Sequence, residues 1–157
     1  MIAQYEAADR SPLLDAPRQY GLGQSHKHLP EMAAVTGLDQ PPVFSPIVGD
    51  FYSGMEVTVP LFASQLTGGA GMEQVKALYE EVYAGPVIRY TEAGDEVGFL
   101  SAGAYTGRDS MEISMSGNDQ RMLLVARYDN LGKGASGAAV QCMNLALGFE
   151  ETEGLEL

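Results

Sequence analysis

The stretch Met111-Glu112-Ile113-Ser114-Met115-Ser116-Gly117-Asn118-Asp119-Gln120-Arg121-Met122-Leu123-Leu124-Val125-Ala126-Arg127-Tyr128 decides the fold class. Met111, Ile113 and Met115 alternate with Glu112 and Ser114, the period-two pattern of a half-buried strand. Gly117-Asn118-Asp119 is a turn signal. The chain then returns as an apolar run, Arg121 to Tyr128, suited to a central strand. Together they predict an antiparallel pair.

Working toward the N-terminus, Met55 to Phe62 alternates again. Val57, Val59 and Leu61 share one face; Glu56, Thr58 and Pro60 share the other. Pro60 puts this strand near its end or on a sheet edge. Val87 to Tyr90 is a further short strand, and Pro42 to Val48 is apolar and β-rich. Met72 to Ala84 predicts an amphipathic helix with Met72, Val75, Leu78, Tyr79 and Val82 inward, stopped by Gly85-Pro86. A second helix opens at Pro30 and ends near Gly37. Ala3 to Asp9 suits a short helical piece. Toward the C-terminus, the glycine-rich stretch 132–137 feeds an apolar helix, Ala138 to Leu147, with Gly148 just past its end. The acidic tail after it is expected to fray. Strands and helices in this mixture indicate an α+β domain with a mixed, mostly antiparallel sheet, spanning residues 1–157.

The 157 residues, 45% of them apolar and 19% charged, have the composition of a globular chain. The net charge of −12 argues against nucleic acid and against an anionic membrane surface. No run of residues is long and apolar enough for a membrane span. The start of the sequence lacks the pattern of a secretory signal, and the single cysteine forms no internal disulfide, so a cytoplasmic location is expected.

Two histidines, His26 and His28, are the only ones in the chain. Two apart in an extended segment, they point to opposite faces. One could face a substrate as acid/base, with Glu31 near enough to orient a ring. The spacing by itself favours two solvated surface histidines. A metal site needs a third ligand, and none is at hand. Asp129 to Gly137 joins a strand to a helix N-terminus, where backbone N–H groups favour anions. It matches neither common phosphate-binding glycine pattern, and taken alone it reads better as a tight strand-to-helix turn. Cys142, among apolar helix positions, reads as a small core residue and not a nucleophile. Phe51-Tyr52-Ser53-Gly54 suits a pocket, an interface or ordinary core packing.

In order along the chain, Tyr20, His26-Lys27-His28-Leu29-Pro30-Glu31, Phe44 to Leu61, and Asp129 to Glu151 resemble the successive signatures of the N-acetyl-gamma-glutamyl-phosphate reductases. The resemblance spans nearly the whole chain. It implies the C-terminal, catalytic and dimer-forming domain of that family, with helices on one face of the sheet as in glyceraldehyde-phosphate and aspartate-semialdehyde dehydrogenases. It also implies an NADPH-dependent reduction of an acyl phosphate to a semialdehyde in arginine biosynthesis, and a homodimer or tetramer. By the same resemblance His26 is the catalytic acid/base, and Tyr20, His28 and Glu31 shape the substrate wall. Asn130 and Gly132 lie near the nicotinamide of NADP, and no metal is used.

The family's cysteine motif and its glycine-rich nucleotide turn do not occur in these residues. The expectation is therefore a chain lacking the N-terminal nucleotide-binding domain, inactive alone, whose closing segment 129–150 packs on that domain. Ser53 stands where many relatives carry Arg. The alternative is a stand-alone, non-catalytic domain acting through protein association.

Overall fold

The structure, a computed structural model, describes residues 2–92 and 97–157. Contacts divide the chain into two compact units, Met1–Phe51 and Tyr52–Leu157.

The first unit is small. It contains α1 (Ile2–Tyr5), a capped 3-10 turn at Pro12–Asp15, β1 (Arg18–Gln19), α2 (His28–Thr36) and β2 (Ile47–Val48). β1 and β2 pair antiparallel, Arg18 opposite Val48. Leu14 and Leu29 are its buried hydrophobics. α1 is shorter than the sequence pattern suggests. The predicted strand from Pro42 shrinks to β2, because Pro42 and Pro46 have no N–H for a ladder. α2 starts at His28, so Pro30 is its third residue and not its first. That costs little, since the opening N–H groups of a helix lack partners anyway. Its end is as expected: Gly37 turns left-handed at φ 71° and donates to Ala33 O.

The second unit is built on a four-stranded sheet. β3 (Met55–Phe62), β4 (Ile88–Tyr90), β5 (Met111–Asn118) and β6 (Arg121–Tyr128) lie in the order β3-β6-β5-β4. β6 is antiparallel to both neighbours, and β4 runs parallel to β5. The sheet is thus mixed and mostly antiparallel, with β6 central and the Pro60-bearing strand on an edge. α3 (Met72–Val82) packs on β4 and β5. Its inward stripe differs from the expected one. Met72, Val75, Lys76 and Tyr79 are half-buried, whereas Leu78 and Val82 are exposed. Lys76 takes the place of Leu78 by laying its stem along the stripe and pairing its ammonium with Glu92.

The core of this unit is Val87, Met115, Met122 and Val125, crossed by a buried ion pair. Arg127 Nε and Nη2 both donate to Glu112 Oε1, at 2.8 and 2.5 Å, and Tyr105 Oη donates to Oε2 at 3.1 Å. A π-helical turn, Gly132–Ser136, runs straight into α4 (Gly137–Leu147). Only Gly137 and Asn144 of α4 are buried. Cys142 is exposed, contrary to its expected core role; among the described residues none covers that side of the helix. The tail does not fray. Asn144 Nδ2 donates to Glu151 O and Glu153 O, and Asp109 exchanges two bonds with Glu156. Among the described residues no helix is long and apolar enough to cross a membrane.

Candidate functional site

The expected site residues fall in both units. In the first, Tyr20 follows β1 and its N–H donates to Pro46 O. Gly21 and Gln24 both adopt left-handed backbone, and the chain turns back into α2. His26 O accepts from Leu29 N–H at 3.0 Å, so His28 is already helical. That turn overrides the expected extended geometry. The two imidazoles do not point apart; they meet edge to face at 4.7 Å. His26 also lies 5.1 Å from the Phe44 ring and 6.2 Å from Tyr20. It is half-buried, while His28, Glu31 and Tyr20 are exposed.

The proton on His26 is placed by a backbone contact. His28 N–H donates to His26 Nδ1 at 3.3 Å. A nitrogen that accepts carries no hydrogen, so the neutral ring holds its proton on Nε2. Among the described residues Glu31 makes no bond to either imidazole. It stands in the first turn of α2, where a carboxylate suits the helix dipole.

In the second unit the organising group is Asp129, which the sequence reading did not single out. It is buried at the end of β6. Its Oδ1 accepts from Leu131 N–H at 2.7 Å and Gly132 N–H at 3.1 Å. Its Oδ2 accepts from Gly107 N–H at 2.6 Å and the Ser53 hydroxyl at 2.9 Å. Burial pushes this carboxyl up, and the donors from Gly107, Leu131, Ser53 and Gly132 outweigh it, holding it at about 2. The local signal was an aspartate whose side chain can accept from the amides two and three residues on.

Asn130 sits beside this knot, half-buried. Its Oδ1 accepts from Gly54 N–H at 2.8 Å, so its Nδ2 hydrogens are left as donors. Gly54 must be glycine: φ is 118° and a Cβ would overlap Ala102 O. Gly132 turns inward. Its N–H is spent on Asp129, and a Cβ would come within 2.5 Å of Arg108 O. Gly132 therefore shapes the turn that carries Asn130 and offers no bare face of its own. Ser53 is likewise internal, bound to Asp129, and Phe51 and Tyr52 are exposed, which excludes core packing for them.

Residues 4–130 match the family model described as semialdehyde dehydrogenase, dimerisation domain. The chain belongs to that family. The match takes in Tyr20, His26, His28, Glu31 and Asn130 and stops short of Gly132. The dimerisation domain is also 42% identical over 151 residues to the N-acetyl-gamma-glutamyl-phosphate reductase of Sinorhizobium fredii, covering 94% of this chain and 49% of that protein. It is 44% identical over 154 residues to the enzymes of that name from Brucella ovis and Brucella abortus, covering 94% of this chain and 50% of theirs. It spans about half the length of these relatives. Its α+β sheet agrees with the expected fold.

Proposed function

We propose that this domain is the substrate-side and subunit-contacting half of a cytoplasmic NADP-dependent reductase that converts N-acetyl-gamma-glutamyl phosphate to the semialdehyde. The single observation that carries the reading is His26, half-buried among Tyr20, His28 and Phe44 with its Nδ1 occupied. An imidazole so held presents Nε2–H, the group needed to give a proton to a carbonyl oxygen as it becomes an alcohol, or to take it back. Names and coverage of the relatives support the substrate class.

Asn130 fits the cofactor side. Its fixed amide presents Nδ2 as a donor, which suits a carboxamide oxygen such as that of nicotinamide. NADP, when bound, supplies the hydride. The attacking thiolate comes from the half of the relatives that these residues do not span. The chain's own contributions are the proton at His26, the amide of Asn130, and the Asp129 knot that orients it.

Self-association has a matching surface. Met55, Val57 and Val59 stand in register with Tyr128, Ala126 and Leu124 on one sheet face, and their exposures are 38, 42 and 47%. Contiguous apolar surface of this kind marks an interaction site.

The test is complementation. The domain is joined to the nucleotide-binding half of the Brucella ovis relative, and phosphate-dependent NADP reduction by the semialdehyde is followed. Activity is expected, and His26→Asn should lower kcat by about 10²–10⁴-fold. An unchanged kcat in that variant overturns the assignment of His26.

A further inference from the structure

Gln24 is the one non-glycine residue with left-handed backbone among those described, at φ 50°. Such strain persists only where neighbouring structure holds it. Here its side chain does the holding. Nε2 donates to Phe44 O at 2.7 Å, and Phe44 N–H donates to Oε1 at 2.9 Å. The two bonds imitate a rung of a sheet ladder and fix the 41–44 segment against the turn that carries His26. Between them lies a cleft of about 520 Å3, walled by residues 24–26, 29–30 and 41–43. That volume is in the range of small-molecule sites. Its polar groups are Gln24, Ser25 and His26; the rest is one leucine, one valine and three prolines. Among the described residues no Lys, Arg, Asp or Glu lines it.

We infer that this cleft is the subsite for the neutral N-acyl cap of the substrate, held in shape by the Gln24 clamp on Phe44. The inference rests on the reductase reading above. The proposed substrate has three functional ends: the acyl phosphate that reacts, an α-carboxylate, and an acetamido group. The two anionic ends call for cationic side chains or clustered N–H donors, and the cleft has no cation. The acetamido end is uncharged and has a methyl to bury. Leu29 and Val43 provide apolar surface for that methyl, and the Ser25 hydroxyl is a partner for the amide. A short aliphatic chain links the acetamido nitrogen to the reacting carbonyl. An extended substrate therefore sets its carbonyl beside His26 while its cap enters the cleft. Gln24 acts through Phe44 and is a positioning residue.

The isotope-labelled chain is titrated with N-acetyl-L-glutamate and, separately, with L-glutamate, while the Leu29 and Val43 methyl signals and the His26 ring signals are read by NMR. N-acetyl-L-glutamate is expected to shift them saturably at millimolar concentration, and L-glutamate to leave them in place. Val43 is 87% exposed, so Val43→Asp leaves the fold intact. It should weaken the N-acetyl response by about tenfold or more, the scale on which one pocket contact discriminates. Gln24→Gly accepts the left-handed backbone, removes the clamp together with one polar group of the cleft wall, and should weaken the response too. Equal shifts from both compounds, shifts from neither, or no effect of Val43→Asp would overturn the subsite. The two readings fail separately. N-acetyl-selective shifts without reductase activity in the complemented enzyme remove the reaction and keep the cleft. Reductase activity whose KM ignores Val43→Asp removes the cleft and keeps the reaction.

Discussion

The Ser53 hydroxyl donates to Asp129 Oδ2 at 2.9 Å, tying the start of β3 to the end of β6 through a buried carboxylate. Three backbone amides complete the shell. The carboxyl is held at about 2, below its ordinary 3.8. A depressed folded-state value stabilises the protein above the unfolded-state value, and that contribution is lost as pH falls toward 2. We expect about 2 kcal/mol of stability to disappear between about pH 4 and pH 2 from this group. Asp129→Asn should be less stable at neutral pH and should lose that share of the acid slope. Thermal melts across the acid range measure it; equal slopes in both proteins would remove Asp129 as the source.

Glu112 and Arg127 face each other across β5 and β6, with side chains 8% and 2% exposed. Removing Glu112 takes two charge-assisted hydrogen bonds from the buried Arg127 guanidinium, at a cost of about 3 kcal/mol or more. Glu112→Gln keeps the shape and some hydrogen bonding, so its loss should be smaller than that of Glu112→Ala. Urea denaturation gives both values. A loss below about 1 kcal/mol for Glu112→Ala, the size of a surface pair, would show that the pair is solvated.

His28 N–H on His26 Nδ1 makes a statement about tautomer. With the ring neutral, ¹⁵N shifts should show Nδ1 as an unprotonated acceptor and Nε2 as protonated. Among the described residues the exposed His28 ring has no such partner, and it should populate both forms. Replacing His28 by proline would remove the N–H, and Lys27, at φ −57° and ψ −25°, would have to move toward extended backbone to accommodate it. In that variant the His26 preference should relax. A protonated Nδ1 in the parent chain would contradict the contact.

The strands were readable because β3 and the first half of β5 alternate and β6 is apolar nearly throughout; burial does not follow that alternation, since Glu112 and Ser114 are buried on β5 while Val57 and Val59 are exposed on β3. The misreadings have local causes. The spacing of the two histidines suits an extended segment, but a helix begins at His28 and brings the rings together. Apolarity alone puts Leu78 inward, while Lys76 fills that stripe because its ammonium reaches Glu92. The fraying expected of the acidic tail ignored Asn144, a polar residue in an apolar helix whose partners are the carbonyls of Glu151 and Glu153. His26 and Asn130 enter as candidates through the order of motifs alone. Asp129 was missed although its partners lie partly in the next three residues, because Ser53 and Gly107 are far off in sequence.

Gly137 opens α4 where the Asp109 side chain crosses it, and a Cβ there would overlap that carboxylate. Asp109 cannot yield freely, because it accepts from Glu156 N–H at 3.1 Å. Gly137→Ala would gain helix propensity, worth about 1 kcal/mol at most. The clash should outweigh it, with a net loss of about 1–3 kcal/mol as for other overpacked sites. Gly148→Ala has open space but a φ of 77°, so its loss should come from backbone strain alone and be smaller. Comparing the two melts separates crowding from strain; a stabilised Gly137→Ala would mean the 109 segment moves aside.

Leu145 and Leu147 stand 60% and 64% exposed on α4, and Phe149 just beyond is 54% exposed. Apolar side chains at these positions add nothing to the chain's own core, since only Gly137 and Asn144 of the helix are buried. Exchanging both leucines for serine should therefore shift stability by no more than about 0.5 kcal/mol per site, the surface norm. The same exchange should lower binding of a hydrophobic dye. If the helix serves as the seat for the nucleotide-binding half in the complemented enzyme, association of the two halves should weaken by about tenfold or more, because two buried leucines contribute about 1.5–3 kcal/mol each. Calorimetry of the domain alone and titration against the other half read the two effects independently. A large loss in the first would mean the helix packs on its own sheet. No loss in the second would move the docking surface elsewhere.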